Sequence, residues 1–104
     1  MKNLKNKIVV ITGAGSGIGR SLAVKLHEKG VMLALNDFNK NSLKETIKLI
    51  GSTSEIYSEI FDVSNKEDFD QFAKNVIQHY KKVDVVINNA GITNGSISAA
   101  ETTI

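Results

Sequence analysis

The chain carries four glycines at alternating positions near its start: Gly13, Gly15, Gly17 and Gly19. An apolar, β-branched run at residues 8–11 precedes them, and Ile18, Leu22 and Leu26 follow at helical spacing. Glycine at every second position suits neither regular helix nor strand, because each one adds backbone entropy and leaves no side chain to pack. A strand, a glycine turn and a helix start direct free N–H groups and a helix dipole at one point, which predicts an anion site.

The spacing of the glycines distinguishes between kinds of anion-binding loop. No lysine follows them as a P-loop requires, and G-x-G-x-x-G from Gly13 would need glycine where the chain has Ile18. The spacing T-G-x-x-x-G-x-G does fit, from Thr12 to Gly19. With this motif the chain resembles the short-chain dehydrogenase/reductase family, whose nucleotide loop has that spacing. For the loop taken alone, a glycine-rich turn of another α/β protein is the alternative.

Apolar runs alternate with amphipathic stretches along the chain. The predicted strands are residues 8–11, 31–35, 56–61 and 83–87. Capping boxes at Ser42-x-x-Glu45 and Ser64-x-x-Glu67 predict the starts of the second and third helices. This alternation predicts an α/β fold, a partial Rossmann-type doubly wound parallel sheet of four strands in the order 3-2-1-4. We expect residues 1–91 to form an NAD(P)-binding half-domain and residues 92–104 to be a polar tail.

Composition narrows the function classes. The 104 residues suffice for one domain, and 13 Lys and Arg against 11 Asp and Glu are scattered, which argues against nucleic acid as a partner. The chain has no cysteine, so disulfides and thiolate metal sites are excluded. His27 and His79 fall at surface positions of predicted helices, so no metal site is expected. No long apolar run occurs, so we expect no membrane partner and a cytoplasmic location.

An acidic residue lies two positions after the second predicted strand, and parallel sheets bind ligands at that end of their strands. Asp37 follows Gly19 by 18 residues, and its carboxylate could accept both ribose hydroxyls and repel a 2′-phosphate, which favours NAD over NADP. The family resemblance adds that NADP-preferring members often carry a basic residue where Ser16 stands. Arg20 is a cation close to the loop and would favour NADP, but we interpret it as a surface residue. Alternatively, Asp37 only begins a polar turn at residues 36–39.

The resemblance implies further cofactor contacts after the third and fourth strands. Asp62 and Val63 would line an adenine pocket, although Asp62 could instead be a residue stabilised at a helix N-terminus. The N-N-A-G segment at residues 88–91 would line the cofactor, although Asn and Gly also suit any turn. The predicted cofactor-binding residues are Gly13, Ser16, Gly17, Ile18, Gly19, Asp37, Asp62, Val63, Asn89, Ala90 and Gly91.

The resemblance also implies a reaction. The family interconverts alcohols and carbonyls by hydride transfer with a nicotinamide cofactor, using a tyrosine and a lysine spaced Y-x-x-x-K. No such pair exists here, since Tyr57 is followed four residues on by Phe61 and Tyr80 by Asp84. We therefore predict no catalytic residue in this chain, which would be the cofactor-binding portion of such an enzyme and inactive alone. A small alcohol or carbonyl substrate would bind only to a complete protein.

Two other functions fit the same residues. One is an NAD-binding module or pseudoenzyme without chemistry. The other is an S-adenosylmethionine-dependent methyltransferase, because Gly13 to Gly17 also spells G-x-G-x-G, although the N-N-A-G segment is then unexplained. In either case, strand 83–87 would present an unpaired apolar edge, which predicts self-association.

Overall fold

The computed structural model describes residues 4–51 and 56–89. Within them, strands and helices alternate as β1 (Ile8–Thr12), α1 (Gly17–Glu28), β2 (Met32–Asp37), α2 (Lys40–Ile50), β3 (Ile56–Ile60), α3 (Lys66–Tyr80) and β4 (Val85–Asn88). All pairings between these strands are parallel, and the sheet order is β3-β2-β1-β4. The α/β Rossmann-type fold and the order 3-2-1-4 are therefore confirmed.

The sheet is covered on both faces. Val9, Ile11 and Leu33 pack against α1 and α2 on one face. On the other face, Val10 packs against Phe72 of α3. A strand buried on both faces needs apolar side chains at successive positions, which is why β1 reads as a continuous apolar run.

Both predicted capping boxes are wrong. The N-cap of α2 is Asn39, whose side chain accepts from the N–H of Ser42 at 2.9 Å, and the N-cap of α3 is Asn65, which accepts from the N–H of Asp68 at 3.0 Å. Ser42 lies in the first turn of α2, and Ser64 comes one residue before the cap of α3. Asparagine caps a helix as well as serine does, so each helix begins at the asparagine that reaches its third amide.

All four strands differ by one or two residues from their predicted bounds. β3 ends at Ile60 and lies at one edge of the sheet, as its lower apolar content predicts. β4 begins at Val85 because the side chain of Asp84 accepts from the N–H of Ile8 at 2.8 Å, at the entry to the sheet. Among the described residues, β4 is the other edge strand.

The predicted tail at residues 92–104 lies outside the described residues, as do Ala90 and Gly91. In the part that is described, none of the helices has both the length and the apolar character needed to cross a bilayer.

Candidate functional site

The glycine-rich turn lies at the carboxyl edge of the sheet. Its start is joined to the neighbouring strands, since the Thr12 hydroxyl donates to Asn88 Oδ1 at 2.9 Å and the Ala14 N–H donates to the Asn36 carbonyl at 2.8 Å. Gly13 and Gly17 have φ angles of 68° and 58°, in the left-handed region that favours glycine. The loop from β1 to α1 is thus held between the ends of β2 and β4.

Two glycines of the loop are needed for space. A Cβ at Gly19 would collide with the Gly13 carbonyl oxygen and with the side-chain amide of Asn89. That amide donates to the Gly13 carbonyl at 3.1 Å. A Cβ at Gly15 would lie 2.7 Å from Asp37 Oδ2. The predicted spacing therefore corresponds to close contacts between the loop, α1 and the strand ends.

The N-terminus of α1 is left open by this arrangement. Ser16 is its N-cap but makes no side-chain cap hydrogen bond, and the first turn contains no acidic residue. The asparagine caps of α2 and α3 each accept an amide of their helix. The N–H groups of Gly17, Ile18 and Gly19 belong to the first turn and have no acceptor within the helix. Together with the helix dipole, they suit an anion.

A cavity of about 470 Å³ opens beside this helix end. It is lined by Gly13, Ser16, Asn36, Asp37, Phe38, Asn39, Ser42, Phe61, Asp62, Val63 and Asn89. The fold thus brings six predicted site residues to one cavity: Gly13, Ser16, Asp37, Asp62, Val63 and Asn89. Gly17, Ile18 and Gly19 lie at the adjacent helix start rather than in its lining, and the Ile18 side chain is exposed to solvent. Ala90 and Gly91 lie outside the described residues.

Asp37 is the buried acidic group in the wall of the cavity. It is only 7% exposed, its Oδ2 accepts from the N–H of Gly15 at 2.8 Å, and its Oδ1 accepts from the N–H of Asn39 at 3.0 Å. The contact with Asn39 is the polar turn considered as the alternative reading. A carboxylate has about four lone-pair sites, so these two bonds leave acceptor capacity for hydroxyl groups.

Asp62 is exposed and turned towards its own loop. Its Oδ1 accepts from the N–H of Ser64 at 2.9 Å and from the Ser64 hydroxyl at 2.8 Å. These two hydrogen bonds hold the pKa of Asp62 below its usual range, and the bond from the Ser64 backbone has the larger effect. Asp62 therefore carries a negative charge at neutral pH, four residues before α3 begins at Lys66.

Five residues of the cavity wall were not predicted from the sequence, and Phe38 and Asn36 are two of them. Phe38 is 74% exposed yet lines the cavity, beside Asp37. An aromatic residue inside a polar turn after a strand was the available signal. Asn36 is buried, and its Nδ2 donates to the Phe61 carbonyl at 3.0 Å, which joins the ends of β2 and β3. Only strand pairing reveals that role.

The interpretation of Arg20 as a surface residue is wrong. Its Nε donates to Thr46 Oγ1 at 2.9 Å, and its guanidinium also donates to the carbonyls of Gly15 and Ser42. It also reaches the Glu45 carboxylate at 3.4 Å. The guanidinium is not part of the cavity lining, because it is directed at the back of the loop and at α2.

Metal binding has no support in the described part of the chain. No three His, Asp or Glu side chains there are close enough to hold a metal ion. His79 instead contacts aromatic rings, with ring centroids 5.1 Å from Tyr57 and 4.6 Å from Tyr80.

Comparison with known proteins identifies the family. The family model described as short chain dehydrogenase matches residues 7–103. The chain belongs to this family. SadH of Mycobacterium tuberculosis, which is named as an oxidoreductase, is 41% identical over 103 residues, covering 97% of this chain and 37% of SadH. An uncharacterized oxidoreductase of Thermotoga maritima is 42% identical over 91 residues, covering 86% of this chain and 36% of that protein.

Solved short-chain dehydrogenases have the same fold. A member from Burkholderia phymatum in complex with NAD gives a TM-score of 0.81 at 34% identity, covering 88% of this chain and 33% of that one. NAD+-bound xylitol dehydrogenase gives a TM-score of 0.77 at 32% identity, covering 88% of this chain and 35% of that one. The chain thus spans about a third of the length of these relatives. The comparisons support an oxidoreductase family with a nicotinamide dinucleotide cofactor and lend nothing to the methyltransferase alternative.

Proposed function

We propose that these residues bind the dinucleotide of a short-chain dehydrogenase, with its pyrophosphate at the start of α1 and its adenosine in the adjoining cavity. The observation that carries the proposal is the open N-terminus of α1, held against a cavity whose wall is acidic. A pyrophosphate would accept from amides that have no helical partner, and the helix dipole would favour its charge. The NAD complexes of similar folds support this assignment.

We propose NAD rather than NADP as the cofactor. The nearly buried Asp37 carboxylate would accept from the ribose hydroxyls, whereas a 2′-phosphate at the same position would bring a second anion against it. Arg20 would not offset that repulsion, because its donors contact the loop and α2. The proposed preference for NAD therefore depends on the carboxylate of Asp37.

The adenine ring would lie between Phe38 and Val63, which both line the cavity. An exposed aromatic ring is suited to stacking on a purine. Asp62 is ionised and could accept from the exocyclic amine of adenine. Asn89, with Ala90 and Gly91 after it, would line the route from the pyrophosphate towards the nicotinamide.

The reaction we propose for the complete protein is hydride transfer between the cofactor and a small alcohol or carbonyl. The 104 residues contain no Y-x-x-x-K pair, so they supply cofactor binding and no general acid or base for this step. The second candidate, a dinucleotide-binding module without chemistry, would use the same cofactor site. Both candidates predict binding by this chain, and turnover of an alcohol by the complete protein would distinguish them.

Calorimetric titration of the 104-residue chain with NAD+, NADP+ and S-adenosylmethionine tests the proposal. We expect NAD+ to bind at least about tenfold more tightly than NADP+, a difference of about 1.4 kcal/mol. Amide resonances of the first turn of α1 should shift on addition of NAD+. A folded chain that binds no dinucleotide, or whose first-turn amides stay unchanged when it does, would refute the proposal.

A further inference from the structure

Two residues outside the cavity contact the back of the glycine loop. Thr46 Oγ1 donates to the Ala14 carbonyl at 2.7 Å, and the Arg20 guanidinium donates to the Gly15 carbonyl. The two carbonyls belong to successive peptide groups of the loop. We infer that Arg20 and Thr46 are positioning residues that hold the glycine loop in the conformation in which it would bind an anion, an inference that rests on the proposed function.

Peptide geometry carries this inference. A trans peptide group is planar, so its C=O and N–H point in opposite directions. The Ala14 carbonyl points to Thr46, and the N–H of the same peptide group, on Gly15, points to Asp37 Oδ2 at 2.8 Å. By the same geometry, holding the Gly15 carbonyl at Arg20 turns the N–H of Ser16 the opposite way, and Ser16 lines the cavity.

Arg20 and Thr46 act as one unit. Thr46 is fully buried on α2, and its hydroxyl accepts from Arg20 Nε at 2.9 Å while donating to the loop. Arg20 also donates to the Ser42 carbonyl at 3.0 Å, so α2 fixes the guanidinium at two points. Without the pair, the Gly15 carbonyl would be free to rotate towards the site, and the Ala14–Gly15 peptide group would keep only its contact with Asp37. A carbonyl oxygen turned towards the site would repel the phosphate, and the N–H of the same peptide group would no longer be directed at the phosphate.

The charge of Arg20 serves the loop rather than the ligand. Its guanidinium does not line the cavity, and its closest carboxylate, Glu45, is 3.4 Å away on a side chain that is 70% exposed. An ion pair so exposed contributes little. The contacts that matter are those to the loop and to Thr46.

Matched variants separate positioning from packing and from charge. Thr46→Val keeps the shape and removes the hydroxyl, whereas Thr46→Ser keeps the hydroxyl and removes a methyl group. We expect Thr46→Val and Arg20→Ala each to weaken NAD+ binding about tenfold in calorimetry, the effect of one or two lost hydrogen bonds. Thr46→Ser should stay within about twofold of the parent affinity, though its unfolding temperature falls. Glu45→Gln is the control and should bind NAD+ unchanged.

A double variant and a salt series test whether the pair is one unit. Because each side chain supports the other, Arg20→Ala/Thr46→Val should lose much less affinity than the product of the two single losses. Additive losses would overturn the inference. A folded Thr46→Val variant that binds NAD+ like the parent would also overturn it. So would a loss of the salt dependence of NAD+ affinity in Arg20→Ala but not in Thr46→Val, because that result indicates direct contact between Arg20 and phosphate.

The ligand-free chain gives an independent measurement. If the pair sets the loop, the Ser16 amide resonance should shift in Thr46→Val and in Arg20→Ala, and should stay near its parent position in Thr46→Ser. Should the parent chain bind no NAD+, the proposed function fails by itself. In that case a Ser16 shift still supports the Arg20–Thr46 contact as loop-positioning, and an unshifted Ser16 amide overturns it.

Discussion

Replacing Asp37 by asparagine tests whether the acidic wall of the cavity also stabilises the glycine loop. Each carboxylate oxygen accepts one backbone amide, from Gly15 at 2.8 Å and from Asn39 at 3.0 Å. Asparagine has a single acceptor oxygen and an NH2 group. In Asp37→Asn one of the two amides therefore loses its acceptor and faces a donor instead.

The magnitude follows from the burial of the site. An unpaired buried donor costs about 1–3 kcal/mol, and a hydrogen bond to a charged acceptor is worth about 1.5–3 kcal/mol. We therefore expect Asp37→Asn to lower the free energy of unfolding by about 2 kcal/mol. In a domain of this size that corresponds to a fall in unfolding temperature of roughly 8–16 °C.

The assay is thermal unfolding at pH 7 without ligand, followed by calorimetry with NAD+ and NADP+. Asp62→Asn is the matched control, because both contacts from Ser64 go to Oδ1 of Asp62, which asparagine retains. Because an exposed substitution of this kind usually changes the free energy of unfolding by no more than about 0.5 kcal/mol, the unfolding temperature of Asp62→Asn should stay within a few degrees of the parent. NAD+ affinity should fall in Asp37→Asn, and the preference over NADP+ should narrow. Equal unfolding temperatures for the two variants would show that the Asp37 contacts contribute nothing to the loop.

Other predictions follow from separate contacts. A methyl group at Gly19 collides with the loop carbonyl, so Gly19→Ala should abolish NAD+ binding in calorimetry and cost about 1–3 kcal/mol of stability. Phe38→Ala should weaken NAD+ binding about fivefold with an unchanged unfolding temperature, because the ring is exposed; a loss of stability instead would assign it a structural role. The hydrogen bond from the Ile8 N–H and the nearby Lys82 hold the pKa of Asp84 below its usual value of 3.8. Its contribution is therefore present above pH 3.8 and lost as pH falls through the lower folded pKa, so Asp84→Asn should flatten the acid limb of an unfolding-temperature profile. The edge position of β4 predicts concentration-dependent association in sedimentation experiments, and a monomer at every concentration would contradict it.

The fold was predictable because its signal is local. Residues 8–11 are apolar at every position and β1 is buried at every position, as a strand covered on both faces must be. Chain order and right-handed crossovers then leave few arrangements of four parallel strands. Helix starts were less predictable, since Asn39 and Asn65 act as caps only where the backbone brings them to an amide.

The site was predictable in outline only. Asp37, Asp62 and Asn89 all line the cavity because the ends of parallel strands meet at one edge. Phe38 was missed because residues 36–39 were interpreted only as a polar turn, and the aromatic residue inside it was given no role. The interpretation of Arg20 failed because it considered only the helix that carries this side chain.

The sequence by itself determined the strands of the sheet and the position of the glycine loop through the spacing of apolar residues and glycines, and the strand order followed from chain order and right-handed crossovers. Only the tertiary structure decided which side chains form hydrogen bonds with the backbone of that loop. Arg20 and Thr46 are 26 residues apart, and Gly15 and Asp37 are 22 apart. Their hydrogen bonds exist because α2 packs beside α1 and β2 pairs with β1, and no periodicity of the chain records which side chains such packing brings together.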